Sequence, residues 1–185
     1  MQAALGGGTG TVAVVSPRTR IVTTDDAGAL TRIVIEGRTF FAPWEPHRDE
    51  RWFTEEGQRD EIRAALDRHA AGLGLPCVIV DDSGRVVGRV NLNNIVRGAF
   101  QSTSIGYWVD PASNGRGLAT TAVGEMLHRA FAELGLHRVE AGTLVHNAAS
   151  QRVLERNSFT RYGLAPQYLN LAGRWQDHVL FQALA

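Results

Sequence analysis

The chain has 185 residues, 44% of them hydrophobic and 21% charged, enough to bury one sizeable core. Its 19 basic and 19 acidic residues cancel, so no overall field draws it to nucleic acid or to an anionic membrane. One cysteine excludes an internal disulfide and a cysteine-based zinc site, and no apolar run reaches the roughly 18 residues a membrane span needs.

The first ten residues, "MQAALGGGTG", are glycine-rich and lack the basic start and apolar middle of a signal peptide. They read as a flexible N-terminus (1–10) ahead of a single domain (11–185), cytoplasmic by default. "TVAVVS" and "TRIVTT" read as strand segments broken at Ser16-Pro17. Thr24, Asp25 or Asp26 can cap a helix through "AGALTRIVIE", whose β-branched run also suits a strand. "FFAPWEPHRDERWFT" mixes prolines and large aromatics with charges, as an irregular and partly exposed loop would. In the next helix, "EEGQRDEIRAALDRHAAGLG", Ile62, Ala65, Leu66, His69 and Ala70 share one face, and Gly72 or Gly74 ends it.

"PCVIVD" and "VVGRVNLNNI" flank "DSG" as a hairpin, with Cys77 as an inert thiol in a buried strand. "RGAFQ" then turns the chain into "STSIGYWVD", completing an antiparallel meander. From Leu118, the residues Ala122, Met126, Ala130 and Leu134 recur every four positions, an amphipathic helix closed by Gly135. "HRVEAGTLV" is a strand, and "NAASQRVLERN" a short helix with Asn147 at its cap. A hairpin across "AG" closes the chain. The order β-α-α-β-β-β-α-β-α-β-β predicts an α+β fold, a mixed, mostly antiparallel central sheet flanked by helices.

"NGRGLATT" stands between the third meander strand and the long helix. A helix start leaves backbone N–H groups without partners, and its dipole adds partial positive charge. Gly115 and Gly117 permit positive φ and close approach, so the loop suits a phosphate, with Arg116 as a charged contact. It is not a P-loop, having no lysine, nor a dinucleotide fingerprint, whose third glycine or alanine is replaced by Thr120. Taken alone, the stretch reads equally well as a plain turn opening a helix. The six histidines show no ligand spacing beside carboxylates, so no metal is expected.

A meander strand, this loop, a long helix, a strand and an Asn-x-x-Ser helix together resemble the GNAT superfamily of acetyl-CoA-dependent N-acetyltransferases. The family loop, Gln/Arg-x-x-Gly-x-Gly/Ala, maps onto Asn114, Gly117 and Ala119, with Asn114 departing from the usual Gln or Arg. "YWVDPASNGRGLATTAV", "LGLHRVEAGTLVHNAASQRVLERNSF" and "YGLAPQYLNLAGRWQDHVLF" are similar to the Rim-type branch, which acetylates the N-termini of ribosomal proteins. "FFAPWEP" fits that branch too. Ser158 stands where the branch usually has Gly, and Asn157 is the residue expected to take the left-handed conformation in its stead.

The resemblance implies one acetyltransferase domain, with acetyl-CoA as cosubstrate and no metal. The strand before the loop would splay from its parallel neighbour and hold pantetheine in the gap. Backbone groups at Trp108 and Val109 would bind the thioester, and an N–H there would stabilise the oxyanion. Asn114, Gly115, Arg116, Gly117, Leu118, Ala119 and Thr120 would hold the pyrophosphate. Asn147 would bond pantetheine, and the Ser150 hydroxyl would protonate the leaving sulfur. Some Rim-type enzymes use a glutamate on the strand after this helix, but that position falls on Leu169 here. Glu45, His178 and His47 are left as candidate bases. The implied acceptor is the N-terminal α-amine of a protein, with a small amine (amino acid, polyamine or antibiotic) or a non-catalytic acyl-CoA-binding module as alternatives. The chain would be a monomer or homodimer.

Overall fold

The computed structural model describes residues 17–185. The strand expected at "TVAVVS" and the flexible start at 1–10 lie outside them. Seven strands form one sheet in the order β1-β2-β3-β4-β5-β7-β6. They are β1 (Thr19–Ile21), β2 (Gly74–Val80), β3 (Val86–Val96), β4 (Ser102–Val109), β5 (Arg138–Leu144), β6 (Thr160–Leu171) and β7 (Arg174–Leu184). Every neighbouring pair is antiparallel except β4–β5, which is parallel. The predicted order of elements is present, with short helical turns added.

Five helices flank the sheet: α1 (Ala27–Glu36), α2 (Arg38–Phe41), α3 (Glu55–Ala70), α4 (Leu118–His128) and α5 (Ala148–Arg156). The "AGALTRIVIE" segment is a helix because Ala27, Leu30, Ile33 and Val34 fall on one buried face, which outweighs its β-branched content. Asp26, one of the expected caps, stands at the N-cap of α1, but its side chain makes no capping bond to that helix. A 3-10 turn, Thr24–Asp26, precedes it, and Asp26 accepts from Thr23 N at 2.8 Å and pairs bidentately with Arg20. Arg20 and the Thr23 bonds outweigh burial and hold the Asp26 carboxyl below its usual range. At the end of α3, Gly72 takes φ +72 and Leu73 N donates to Arg68 O at 2.8 Å, a Schellman stop.

Two cores sandwich the sheet. One, around Cys77, Val90, Leu92, Met126, Leu154 and Phe159, lies under α4 and α5; the other, around Leu30, Ile33, Phe41, Ile62 and Val78, lies under α1 and α3. The Cys77 thiol is pushed up to about 11 by burial, as an inert core thiol should be. The "DSG" turn forms because Asp81 Oδ1 accepts from Ser83 N at 2.9 Å and Arg85 N at 3.1 Å.

Three local expectations are corrected. The long helix loses regular α geometry at His128 and passes through a π turn, Arg129–Glu133, in which Leu134 N donates to Arg129 O. Arg129 is pinned there, its guanidinium 3.3 Å from Cys77 Sγ and 3.1 Å from Thr19 O. "FFAPWEPHRDERWFT" is not wholly irregular. It opens on the last two residues of α2 and contains a 3-10 turn, Glu50–Phe53, capped by Asp49, whose Oδ1 accepts from Trp52 N at 3.0 Å. Ser158, not Asn157, takes the left-handed conformation (φ +61), because the Asn157 amide is committed to Thr120 O and Val153 O. Among the described residues no helix is long and apolar enough to cross a membrane.

Candidate active site

β4 and β5 pair over only three positions, Ser102 with Arg138, Thr103 with Val139 and Ser104 with Glu140. Beyond them the strands part, and Gly106 to Val109 keep partners on β3 alone. The gap opens a cavity of about 610 Å³. Its wall includes Trp108, Val109, Asn114, Gly115, Gly117, Leu118, Ala119, Thr120, Asn147, Ser150, Glu45 and His178. Thus the structure gathers every predicted site residue except Arg116 and His47. Arg116 stands between two left-handed glycines, is exposed, and is not part of the wall.

At the loop, Asp110 Oδ1 accepts from Ala112 N at 3.0 Å and starts a turn at Pro111–Ser113. Gly115 and Gly117 both take φ +77, and a Cβ at either would meet nothing within 4 Å. The space before them is therefore open, and no side chain caps α4, whose N-cap is Gly117. The first-turn amides and the helix dipole face that space. Arg152 and Arg156, one turn apart on α5, line the same cavity and supply the positive charge that Arg116 does not. The sequence reading missed them; their i,i+4 spacing on the helix after the cap was the available signal. Asn157 Nδ2 fastens α5 to α4 through Thr120 O at 3.1 Å, so the loop and the Asn-x-x-Ser helix keep a fixed spacing.

Asn147 Oδ1 accepts from Ser150 N at 3.0 Å and caps α5. A side-chain amide has a second end, so Nδ2 is left to donate into the cavity. Ser150 Oγ lies 2.8 Å from Tyr107 Oη, a partner the sequence reading did not name. Alternation along β4 places Tyr107 with Ile105 and Val109 on the α4 side, where its hydroxyl is the polar tip among apolar neighbours. Burial, opposed by the Ser150 bond, pushes the Tyr107 hydroxyl up to about 12. The pair therefore holds its protons at neutral pH. On β5, the Thr143 Oγ1 is buried with no hydrogen-bond partner among the described residues, and Thr143 lines the cavity.

The far side of the cavity holds the candidate bases. His178 on β7 is buried, and its Nδ1 lies 3.0 Å from Gln176 O. A carbonyl only accepts, so Nδ1 carries the proton and Nε2 is the basic nitrogen. Glu45 lines the cavity but is paired with Arg48 at 2.9 Å, and its carbonyl accepts from Ala172 N at 3.0 Å. His47 packs instead on the β6–β7 turn at Gly173 and is not part of the wall. Trp44 packs at a tilt on His146 (5.4 Å) and Phe41 meets Trp108 edge-on (5.3 Å), so the aromatic loop forms a wall of the cavity.

The residues present fit coenzyme A. An open glycine cradle at a helix start, two arginines beside it and an orphaned hydroxyl in a slot between parted strands suit a pyrophosphate followed by an amide-bearing arm. Among the described residues no group of three His, Cys, Asp or Glu could hold a metal. Fold and site together define an acetyl-CoA-dependent N-acetyltransferase.

Residues 19–160 match the family model of the acetyltransferase (GNAT) domain, and the chain belongs to that family. It is 39% identical over 150 residues to the "Probable N-acetyltransferase YjcK" of Bacillus subtilis, spanning 80% of this chain and 83% of that protein. It is 32% identical over 162 residues to the ribosomal protein uS5-alanine N-acetyltransferase of Escherichia coli, spanning 87% and 84%. The structure of Mycobacterium smegmatis RimJ in complex with CoA-disulfide superposes with a TM-score of 0.87 at 33% identity, covering 90% of this chain and 81% of that one.

Proposed function

We propose that the acceptor is the N-terminal α-amine of a protein, in the first place a ribosomal protein, and that residues 11–185 act as one cytoplasmic acetyltransferase domain. One observation carries the choice of amine. Among the described residues the only carboxylate in the cavity wall is Glu45, already paired with Arg48, and the free base is the His178 Nε2. A weak base suffices for an α-amine, whose pKa near 7.7–8.0 leaves roughly a tenth of it neutral at pH 7. A lysine or polyamine nitrogen, near 10.4, needs a stronger base or an anionic cradle. The relatives named for ribosomal-protein acetylation support the same acceptor.

Bound acetyl-CoA supplies the thioester. Gly115, Gly117 and the first turn of α4, with Arg152 and Arg156, would hold its pyrophosphate, and Asn147 Nδ2 and Thr143 Oγ1 its pantetheine. Backbone groups at Trp108 and Val109, where β4 has parted from β5, would hold the carbonyl and the charge that develops on it. His178 Nε2 takes the proton of the attacking amine, directly or through water. Ser150 gives its proton to the departing sulfur and recovers one from Tyr107. An acceptor panel tests this by following thiol release with protein N-terminal peptides, amino acids, polyamines and ε-amines. Peptide turnover lost in His178→Ala is the expected result; turnover of small amines alone rejects the protein acceptor.

A further inference from the structure

A second concavity, a groove of about 690 Å³, lies on the opposite face of the sheet, beside α3 and the β6–β7 hairpin. It meets the cavity at Gly142, which lines both. A Cβ on Gly142 would touch His178 on the cavity side and Tyr168 on the groove side, each at 3.6 Å. Gly142 thus lines the junction of the two spaces, where the base sits. The groove's polar lining is Asn91, Asn93, Asn94, Ser104 and Arg68, with no acidic side chain.

Arg89 is two residues before the groove-lining Asn91 on the same face of β3, pairs with the cavity-lining Trp108 of β4, and is within electrostatic reach of Arg68 of the groove and Glu45 of the cavity. Its Nε is buried without a hydrogen-bond partner, and it joins none of the ion pairs within 4.0 Å among the described residues. Burial lowers its pKa from the ordinary arginine value; Glu61 and Glu45 attract it and Arg68 and Arg48 oppose it. Glu45 is already taken by Arg48. Arg89 is half-buried, and a guanidinium whose inner nitrogen is buried without a partner or a close carboxylate gains from a ligand that brings the missing charge.

We infer that the groove receives the residues that follow the acetylated amine, in extended form, and that Arg68 and Arg89 select acceptors with an aspartate or glutamate among them. This rests on the protein-acceptor reading above. From Trp108 back to Ser104 the strand advances four residues, roughly 13 Å, which places an acid at about the second to fourth acceptor position within reach. The neutral amides of Asn91 and Asn93 suit an extended main chain, and Tyr168 and Leu169 an apolar side chain.

The test uses the full chain, acetyl-CoA and a peptide series differing only at positions two to four, with Glu, Gln or Lys there. kcat/KM should fall about tenfold from Glu to Gln and further to Lys, mostly through KM, and the difference should shrink with added salt. Arg68 is exposed, so Arg68→Glu should fold normally and reverse the Glu-over-Lys order. Arg89→Met should weaken the Glu preference, with Arg68→Glu deciding should that variant not fold. Equal rates for Glu and Lys peptides, unmoved by Arg68→Glu, overturn the inference and leave the protein acceptor standing. No peptide turnover beside small-amine turnover overturns both.

Discussion

Replacing Thr143 by valine keeps shape and removes one hydroxyl, and the structure makes two opposite demands of it. In the free protein the Oγ1 is buried and unpartnered. An unsatisfied buried polar group costs about 1–3 kcal/mol, so Thr143→Val should stabilise the free protein by about 1 kcal/mol or more. For a chain of this size that raises Tm by roughly 2–4 °C. In the proposed complex the same hydroxyl would supply a hydrogen bond to the pantetheine arm, worth about 0.5–1.5 kcal/mol net, so CoA affinity should fall about 2- to 13-fold. Thermal melts with and without CoA, plus calorimetric titration, read both terms on one variant. A lower Tm with unchanged CoA affinity would show that the hydroxyl is satisfied within the fold, and the reasoning fails.

Four further outcomes follow from the geometry. Tyr107→Phe should lower kcat about tenfold or more with KM and Tm nearly unchanged, because only the proton source behind Ser150 is lost; an unaltered kcat removes Tyr107 from the mechanism. Gly117→Trp should abolish CoA binding in calorimetry while circular dichroism stays native, since the space before this glycine is open in the fold and needed by the phosphates. Ser158→Gly should stabilise by about 0.5–1 kcal/mol, relieving a left-handed serine, as urea melts would register. Stability should also fall as pH rises from about 9 through 11. Cys77 and Tyr107 are raised in the fold from ordinary values of 9.0 and 10.0 to about 11 and about 12, so the unfolded chain loses its protons first. Urea midpoints at pH 8 and pH 10.5 check the sign.

The order of elements along the chain and the glycine loop were legible because they rest on local rules. Alternation marked β2 to β4, four-residue recurrence marked α4, and two glycines before a helix marked the cradle. The Asn147 cap was legible for the same reason. Tyr107, Thr143, Arg152 and Arg156 were not, since each acquires its role from a neighbour distant in sequence: Ser150 for Tyr107, the parted strand for Thr143, the α4 loop for the two arginines. Arg116 misled because adjacency in sequence suggested contact, while the left-handed backbone on both sides turned it to solvent. The left-handed residue at the end of α5 was misassigned because the Asn157 amide has a tertiary partner, Thr120, that spacing does not reveal.

The three-residue pairing of β4 with β5 leaves the central sheet nearly cut in two, with β1 to β4 on one side and β5, β7 and β6 on the other. In the proposed complex the pantetheine arm, an extended chain bearing amides, would occupy the seam where ladder bonds would otherwise run. The substrate would then serve as a removable splint between two half-sheets. Its binding adds stability by mass action, about 2.7 kcal/mol at a hundredfold excess over Kd. Rigidity of the molecule is then set partly from outside, by the supply of the acyl donor that it consumes.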